Sequence, residues 1–338
     1  MANTTRVMLD DGWRLSLRQM AIFRAVAQSG SLRSAARQVH LTQPAVTHAV
    51  RDMEQSLGTA LFVRSAKGVA LTDVGAVLMR RTELVFNELR RTQDEIRELR
   101  DGTGGRLSIA FSSAAGPLLP PALLDFRARR PGVSLELHEM ISAGSDPRWQ
   151  SGSFDFAVVS ESAVTPMDGA QSEALLEVPL RVGLRQGHAL ARARSLKRLH
   201  GALWVAPSYG LALLERLFAA HGLPPPPDVI ACQSTQLGTQ LMHRADALAL
   251  MSSDMASDSR YSRGLSWLSL TETPLPHLRI YLLVRDEAAL TPAARLFIDC
   301  LRRAVTARWR SGAARRPVQN GPQGAQAPDS GSSGPLAP

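Results

Sequence analysis

The chain has 338 residues, 44% of them hydrophobic, with 39 Lys and Arg against 30 Asp and Glu for a net charge of +9. That length predicts two or three folding units, and two cysteines exclude a disulfide scaffold or a multi-cysteine zinc ribbon. No apolar run approaches the roughly 20 residues that span a bilayer, and residues 1–14 are too polar for a secretion signal, so the expected setting is the cytoplasm.

In chain order, residues 1–14 predict a disordered N-terminal extension. Ser16-Leu-Arg-Gln19 has the form of a capping box, and Met20, Phe23, Val26 and Ala27 then recur at helical spacing. Ser29-Gly30 ends this helix and Ser31 caps a second one through Ala35 and Ala36. A tight turn at His40-Leu41 leads to a third, with Thr42 as its cap and Pro44 in its first turn. Val46, Val50, Met53 and Leu57 share one face of that third helix, which stops at Gly58. Residues 61–64 and 69–71 flank Ser65-Ala-Lys-Gly68 as a two-stranded wing, closing a unit over 15–72.

A long helix is predicted over 73–101. Its apolar positions Val74, Leu78, Val85, Leu89, Ile96 and Leu99 form a narrow stripe on a charged rod. Such a rod does not bury its stripe alone, so a partner helix is expected, the alternative being packing against its own domain. The glycine cluster of Asp101-Gly-Thr-Gly-Gly105 is the clearest internal break.

From 106 to 308 strand and helix patterns alternate. Strands are expected at 107–111, 133–139, 154–159, 178–184, 203–206, 229–233, 247–251 and 279–284, with a closing helix at 292–307. This order indicates βαβ units and mainly parallel sheets. Two such sets, with the last elements returning to the first, predict two lobes around a cleft: lobe I over about 106–180 and 270–308, lobe II over about 181–269. Residues 309–338 read as a disordered tail, since Gly, Pro and Ser supply fourteen of residues 311–338.

Charge placement sharpens this division. Residues 15–72 carry +5 and residues 302–338 carry +5, whereas 106–301 are neutral. A small basic unit joined to a neutral two-lobed one fits a polyanion bound at one end and something sensed in the middle.

Two short helices, a tight turn, a third helix opening with Gln-Pro and a wing together form a winged helix-turn-helix. Gln43, Thr47, His48 and Arg51 fall on the exposed side of the third helix, near Thr42 and Pro44. Gln pairs bidentately with adenine, Arg with guanine, and Thr meets a thymine methyl. Arg33, Arg64 and Lys67 are placed to contact phosphate, which positions the domain without reading sequence. The competing reading, an ordinary solvated face, does not account for the wing and the charge excess.

Phe23…Ser29-Gly-Ser-Leu…Ala35-Ala36…Leu41-Thr-Gln-Pro-Ala-Val-Thr47…Glu54…Leu57-Gly58…Leu61-Phe62-Val-Arg64…Leu71-Thr72…Gly75 resembles the N-terminal signature of LysR-type transcriptional regulators. The resemblance covers residues 15–100 nearly throughout. Thr47 stands where the family usually has Ser, and Met53 where it has Leu. It implies an effector domain like a type 2 periplasmic binding protein, two α/β lobes joined by two crossover strands. It also implies a homo-oligomer, as a dimer of dimers (a homotetramer), on double-stranded promoter DNA. The stretches Pro147…Gly152-Ser-Phe-Asp155 and Thr291-Pro-Ala-Ala294 are similar to a branch that includes the toluenesulfonate-responsive regulator. Ala245-Asp-Ala-Leu-Ala249 replaces a stretch that is often glycine-rich.

Open α/β sheets bind ligands at the carboxyl ends of strands, where helix N-termini point amide groups into the crevice. Here those positions are Ser112 and Ser113, Ser142, Ser160, Pro207 and Ser208, and Ser234 and Thr235. Hydroxyls dominate, so a small organic anion, an aromatic carboxylate or sulfonate, is the expected effector; helix capping is the alternative role for each serine. The eight histidines are scattered without His-Glu-x-x-His, and neither Gly-x-Ser-x-Gly nor a phosphate loop occurs, so no metal, cofactor or catalytic activity is expected. Cys232 and Cys300 are expected as buried structural thiols, with a redox-sensing pair as the alternative. A solute-binding module without specific DNA binding is the competing function.

Overall fold

The computed structural model describes residues 15–65, 68–101, 104–140, 146–160, 170–257, 262–271, 275–311 and 315–316. The expected N-terminal extension, Lys67, Ser142 and the tail beyond 316 lie outside these residues.

The N-terminal unit begins with α1 (Leu17–Ser29), where Ser16 Oγ accepts from Gln19 N at 3.2 Å and Gln19 Oε1 accepts from Ser16 N at 3.0 Å. This reciprocal bonding satisfies two of the amides that a helix start leaves unpaired. Then come α2 (Leu32–Gln38) and α3 (Gln43–Leu57). Phe23, Val26, Ala35, Val46 and Met53 are fully buried between them, with the Phe23 ring tilted against Phe62 of the wing at 5.2 Å. Each large side chain among these contributes about 1.5–3 kcal/mol by leaving water. The wing is the antiparallel pair β1 (Phe62–Ser65) and β2 (Gly68–Leu71). Glu54 ties it to α3 by accepting from Leu61 N at 2.8 Å and Phe62 N at 3.3 Å.

The long helix α4 (Asp73–Asp101) leaves the wing at Gly75 and leans on α1, where Glu83 accepts from Gln28 at 3.0 Å. Val74, Val77, Val85, Leu89 and Ile96 remain exposed along it, Ile96 by 58%.

Beyond residue 104 the chain forms β3 (Arg106–Phe111), a short 3-10 turn (Ser113–Leu118), α5 (Leu119–Arg129), β4 (Ser134–Glu139), α6 (Pro147–Gln150) and β5 (Phe156–Ser160). Parallel β4, β3 and β5 make up one side of the lobe I sheet. The strand β6 (Gln171–Arg185) then runs out of lobe I into lobe II. Lobe II comprises β7 (Trp204–Ala206), α7 (Ser208–Ala219), β8 (Val229–Ala231), α8 (Thr235–Arg244), β9 (Ala249–Ser252), α9 (Ser253–Ser257) and β10 (Leu265–Leu268). The return strand β11 (His277–Val284) and the helix α10 (Pro292–Arg310) complete lobe I. Residues 171–179 of β6 pair with β11, whereas 180–185 pair with β9 and β10. Two antiparallel strands therefore carry the chain between the lobes.

Separate cores fill the two lobes. In lobe I, Phe126, Phe156 and Phe297 cluster with centroids 5.4 and 5.5 Å apart. In lobe II, Trp204 and Phe218 meet edge-on at 5.7 Å.

Several expectations need correction, the first being that the sheets are mixed rather than mainly parallel, since β11 pairs antiparallel with β5 and β6, and β6 with β9 and β10. The strand expected at 178–184 is a 15-residue strand from Gln171; its first half is polar because Glu173 and Glu177 pair with Arg302 and Arg279 across the surface. On β4 the spacing of Val133, Leu135 and Leu137 predicts alternating burial, which fails at the strand's end. Leu137 is exposed by 41%, while His138 packs against the Phe154 ring at 5.4 Å, as befits an edge strand with neighbours on one side only. Cys232 is not buried: it follows β8 at the cleft wall, and its thiol donates to Ser234 O at 3.4 Å. Cys300 is buried as expected, where burial and the Asp125 carboxylate push its thiol up. Finally, α4 packs on lobe I by its polar side, while Val74, Val85, Leu89 and Ile96 of its stripe stay exposed. Arg91 Nε donates to Asp155 Oδ1 at 3.1 Å, its NH2 donates to Gly152 O and Phe154 O at 2.9 and 2.8 Å, and Asn87 donates to Ser151 O at 2.7 Å.

Candidate nucleic-acid interface and ligand cleft

The third helix presents the polar face expected of it. Thr42 caps it, accepting from Ala45 N at 3.4 Å, and Gln43, Pro44, His48 and Arg51 are exposed while Val46, Val50 and Met53 are buried opposite. Thr47 is half-buried, and its hydroxyl donates to Gln43 O at 3.0 Å, so what it offers outward is a methyl group and an acceptor. His48 Nδ1 lies 2.8 Å from Asp52 Oδ2, a pairing the sequence reading did not single out; the i, i+4 spacing was its available signal. Arg33 on α2 is exposed beside this face, and Arg64 lies in β1.

Between the lobes is a cleft with about 890 Å³ of empty space, its open mouth included. Ser113, Pro207, Ser234 and Thr235 line it, together with Gln233, Thr239 and Ser252. Most of the wall is apolar, from Trp204, Leu213, Met242, Met251, Met255 and Leu278, and no charged side chain is among the described lining residues. Pro207 precedes α7 and supplies no side-chain cap, and it and Gly210 of the first turn line the cleft. In contrast, Ser234 caps α8 by accepting from Leu237 N at 3.2 Å.

Two of the expected contact residues sit elsewhere. Ser112 and Ser160 are fully buried, and Ser112 Oγ accepts from Ser160 N at 2.9 Å. They clasp the ends of β3 and β5 behind the cleft rather than lining it. Ser208 sits at its edge, accepting from the Gln233 amide. Where the family often has glycine, Asp246 adopts a φ of 54° and is held by Arg185, while His188 Nε2 meets its carbonyl at 3.0 Å. The Arg185 guanidinium pulls the Asp246 carboxyl below its ordinary value.

Residues 100–306 match the LysR substrate binding domain, and residues 17–76 match the bacterial regulatory helix-turn-helix protein of the lysR family. The chain belongs to the LysR family of transcriptional regulators. As such it is a DNA-binding regulator with an effector-binding domain and not an enzyme. The HTH-type transcriptional regulator GalR of Pseudomonas putida is 28% identical over 297 residues, covering 86% of this chain and 74% of that protein. The RuBisCO operon transcriptional regulator of Allochromatium vinosum is 32% identical over 214 residues, covering 62% and 70%. Among solved structures, ArgP from Mycobacterium tuberculosis aligns with a TM-score of 0.64 at 18% identity, covering 85% of this chain and 96% of that one. Full-length CbnR complexed with its target DNA aligns at 0.63 and 20%, covering 86% and 100%. Among the described residues of this LysR-type regulator, no helix is long and apolar enough to cross a membrane and no metal-ligating cluster occurs.

Proposed function

We propose that this regulator reads promoter DNA through α3 and responds to a small aromatic anion held between its lobes. The observation that carries the reading is the pairing of an uncharged, largely apolar cleft with the uncapped N-terminus of α7. An aromatic ring fits against Trp204 and the methionine thioethers. Its carboxylate or sulfonate would lie at the α7 amides beside Ser208, with Ser113 and Thr235 offering hydroxyls. Ser142 belongs to the same strand-end set by sequence. Lobe closure on the ligand would shift the relative placement of DNA-binding pairs in a dimer of dimers assembled through the exposed stripe of α4.

The effector reading is tested by thermal unfolding of the full chain against a panel of benzoates and arylsulfonates. A ligand at 100 times its Kd adds about 2.7 kcal/mol of stability. No shift across the panel overturns the aromatic anion and leaves the DNA-binding assignment standing.

On the DNA side, Gln43 and Arg51 are the base readers, with Thr42, Pro44, Thr47 and His48 alongside them. Arg33, Arg64 and Lys67 are the phosphate contacts. Replacing Gln43 or Arg51 with alanine should cost about 1–3 kcal/mol of discrimination between bases. Arg64→Ala should weaken binding across all sequences and flatten the salt slope by about one unit. Identical behaviour of the two classes in a competition assay overturns that division.

A redox-sensing role has less support. Cys300 is buried with its thiol pushed up, whereas Cys232 stands at the cleft wall of the other lobe.

A further inference from the structure

A carboxylate on the DNA-facing side of α3 works against binding to a polyanion, and Asp52 is such a carboxylate. It is 45% exposed, on the same outward face as His48, which is 80% exposed. Repulsion from phosphates acts at this range regardless of base sequence, so Asp52 costs affinity and calls for a compensating role.

The geometry supplies one. His48 Nδ1 is 2.8 Å from Asp52 Oδ2. An ionised carboxylate only accepts, so Nδ1 carries the proton. This fixes the tautomer and the ring plane, and it leaves Nε2 as the one ring nitrogen free to meet a base edge. An imidazole without that anchor would rotate among its rotamers and present either nitrogen, losing entropy on each encounter. Here the one-turn spacing on a helix whose other face is locked by Val46, Val50 and Met53 holds the pair in place before DNA arrives.

We infer that Asp52 is a positioning residue for sequence reading, which presents His48 Nε2 to one base pair in the major groove. The inference rests on the proposed orientation of α3 in that groove. His48 makes the base contact, and Asp52 acts only through it.

The test uses the full-length chain and a duplex recovered from a random pool by repeated selection. Binding is then measured for that duplex and for each of its single base-pair variants. His48→Ala should flatten the preference at one base pair by about tenfold, which is about 1.4 kcal/mol. D52N and D52A remove the same negative charge and so share the same sequence-independent gain in affinity. D52N keeps an oxygen that accepts from Nδ1–H, and D52A does not. D52N should therefore retain the base profile, whereas D52A should flatten it at the same base pair as His48→Ala. Combining D52A with His48→Ala should add no further loss there. If D52A and D52N tighten or weaken all duplexes with the profile unchanged, or if His48→Ala leaves the profile intact, the inference is overturned. If no duplex emerges from the pool at all, the fault lies with the proposed DNA reading and not with Asp52.

Discussion

Replacing Arg91 with methionine is expected to destabilise the effector domain by about 3–5 kcal/mol, because it strands a carboxylate inside the protein. Asp155 is 11% exposed at its side chain, and its two oxygens are taken up by Arg91 Nε at 3.1 Å and Ser108 N at 2.7 Å. The Gly152 and Phe154 carbonyls would lose their donor in the same step. Methionine preserves much of the packing volume, so the loss reports the charge and hydrogen bonds rather than a cavity. Calorimetric unfolding of R91M, D155N and the double variant checks this. The double variant should recover much of the loss, and an R91M cost below about 1 kcal/mol would show that the pair is held mainly by water.

The pH dependence of that variant has a definite sign. Burial lifts the Asp155 carboxyl above its ordinary value even with Arg91 and the Ser108 amide pulling the other way. Without Arg91 it rises further. The folded state then binds a proton more readily than the unfolded chain, so R91M loses stability as pH rises through the interval between the two values and regains it on acidification.

The second large effect is expected at Gly75. A Cβ there would lie 2.1 Å from Leu61 O and 3.1 Å from Leu71 Cδ2. The obstructing atom is backbone, so nothing flexible can yield. Alanine favours a helix over glycine by about 1 kcal/mol, but overpacking costs about 1–3 kcal/mol when side chains can adjust. We expect the upper end or more for Gly75→Ala, together with a wing displaced from α4 and weaker binding to every duplex. Stability equal to or above that of the parent chain would mean that α4 slides along the wing at little cost.

Local chemistry wrote the N-terminal unit into the sequence. The Ser16–Gln19 box, the Thr42 cap with Pro44, and the apolar spacing of Val46, Val50 and Met53 are all decided within a turn or two of helix. So each could be read from its neighbours. The effector domain shows what such reading misses. Ser112 and Ser160 looked like two independent ligand contacts at strand ends, yet they bond each other across 48 residues. Arg91 looked like one more charge on a solvated rod, yet its partners lie 61 to 64 residues on. The parallel pairing of β3 and β5 brings the serines together and the docking of α4 on the turn before β5 brings Arg91 to its partners, and no local pattern encodes either. Cys232 was misplaced for a related reason: β8 stops at Ala231, so the next residue leaves the sheet and meets the cleft.

The second basic block also changes meaning. Arg302 is paired with Glu173 at 2.6 Å and Arg303 with Asp125 at 2.7 Å. The Arg129 and Arg303 guanidinium groups hold the Asp125 carboxyl down to about 2. Arg316 lies 4.9 Å over the Trp309 ring. Arg302 and Arg303 thus fasten α10 to lobe I, whereas Arg316 packs back on the end of α10 itself.

The double crossing of β6 and β11 sets how a ligand can act at a distance. A ribbon of two hydrogen-bonded strands twists readily but resists stretching, so it behaves as a torsion bar with one soft coordinate. If the lobes close on a ligand as proposed, that ribbon would take up the motion mainly as twist. Lobe I carries both the inner end of that ribbon and, through Asp155, the grip on Arg91, so in the proposed mechanism a turn at the cleft would reach α4 through this one contact.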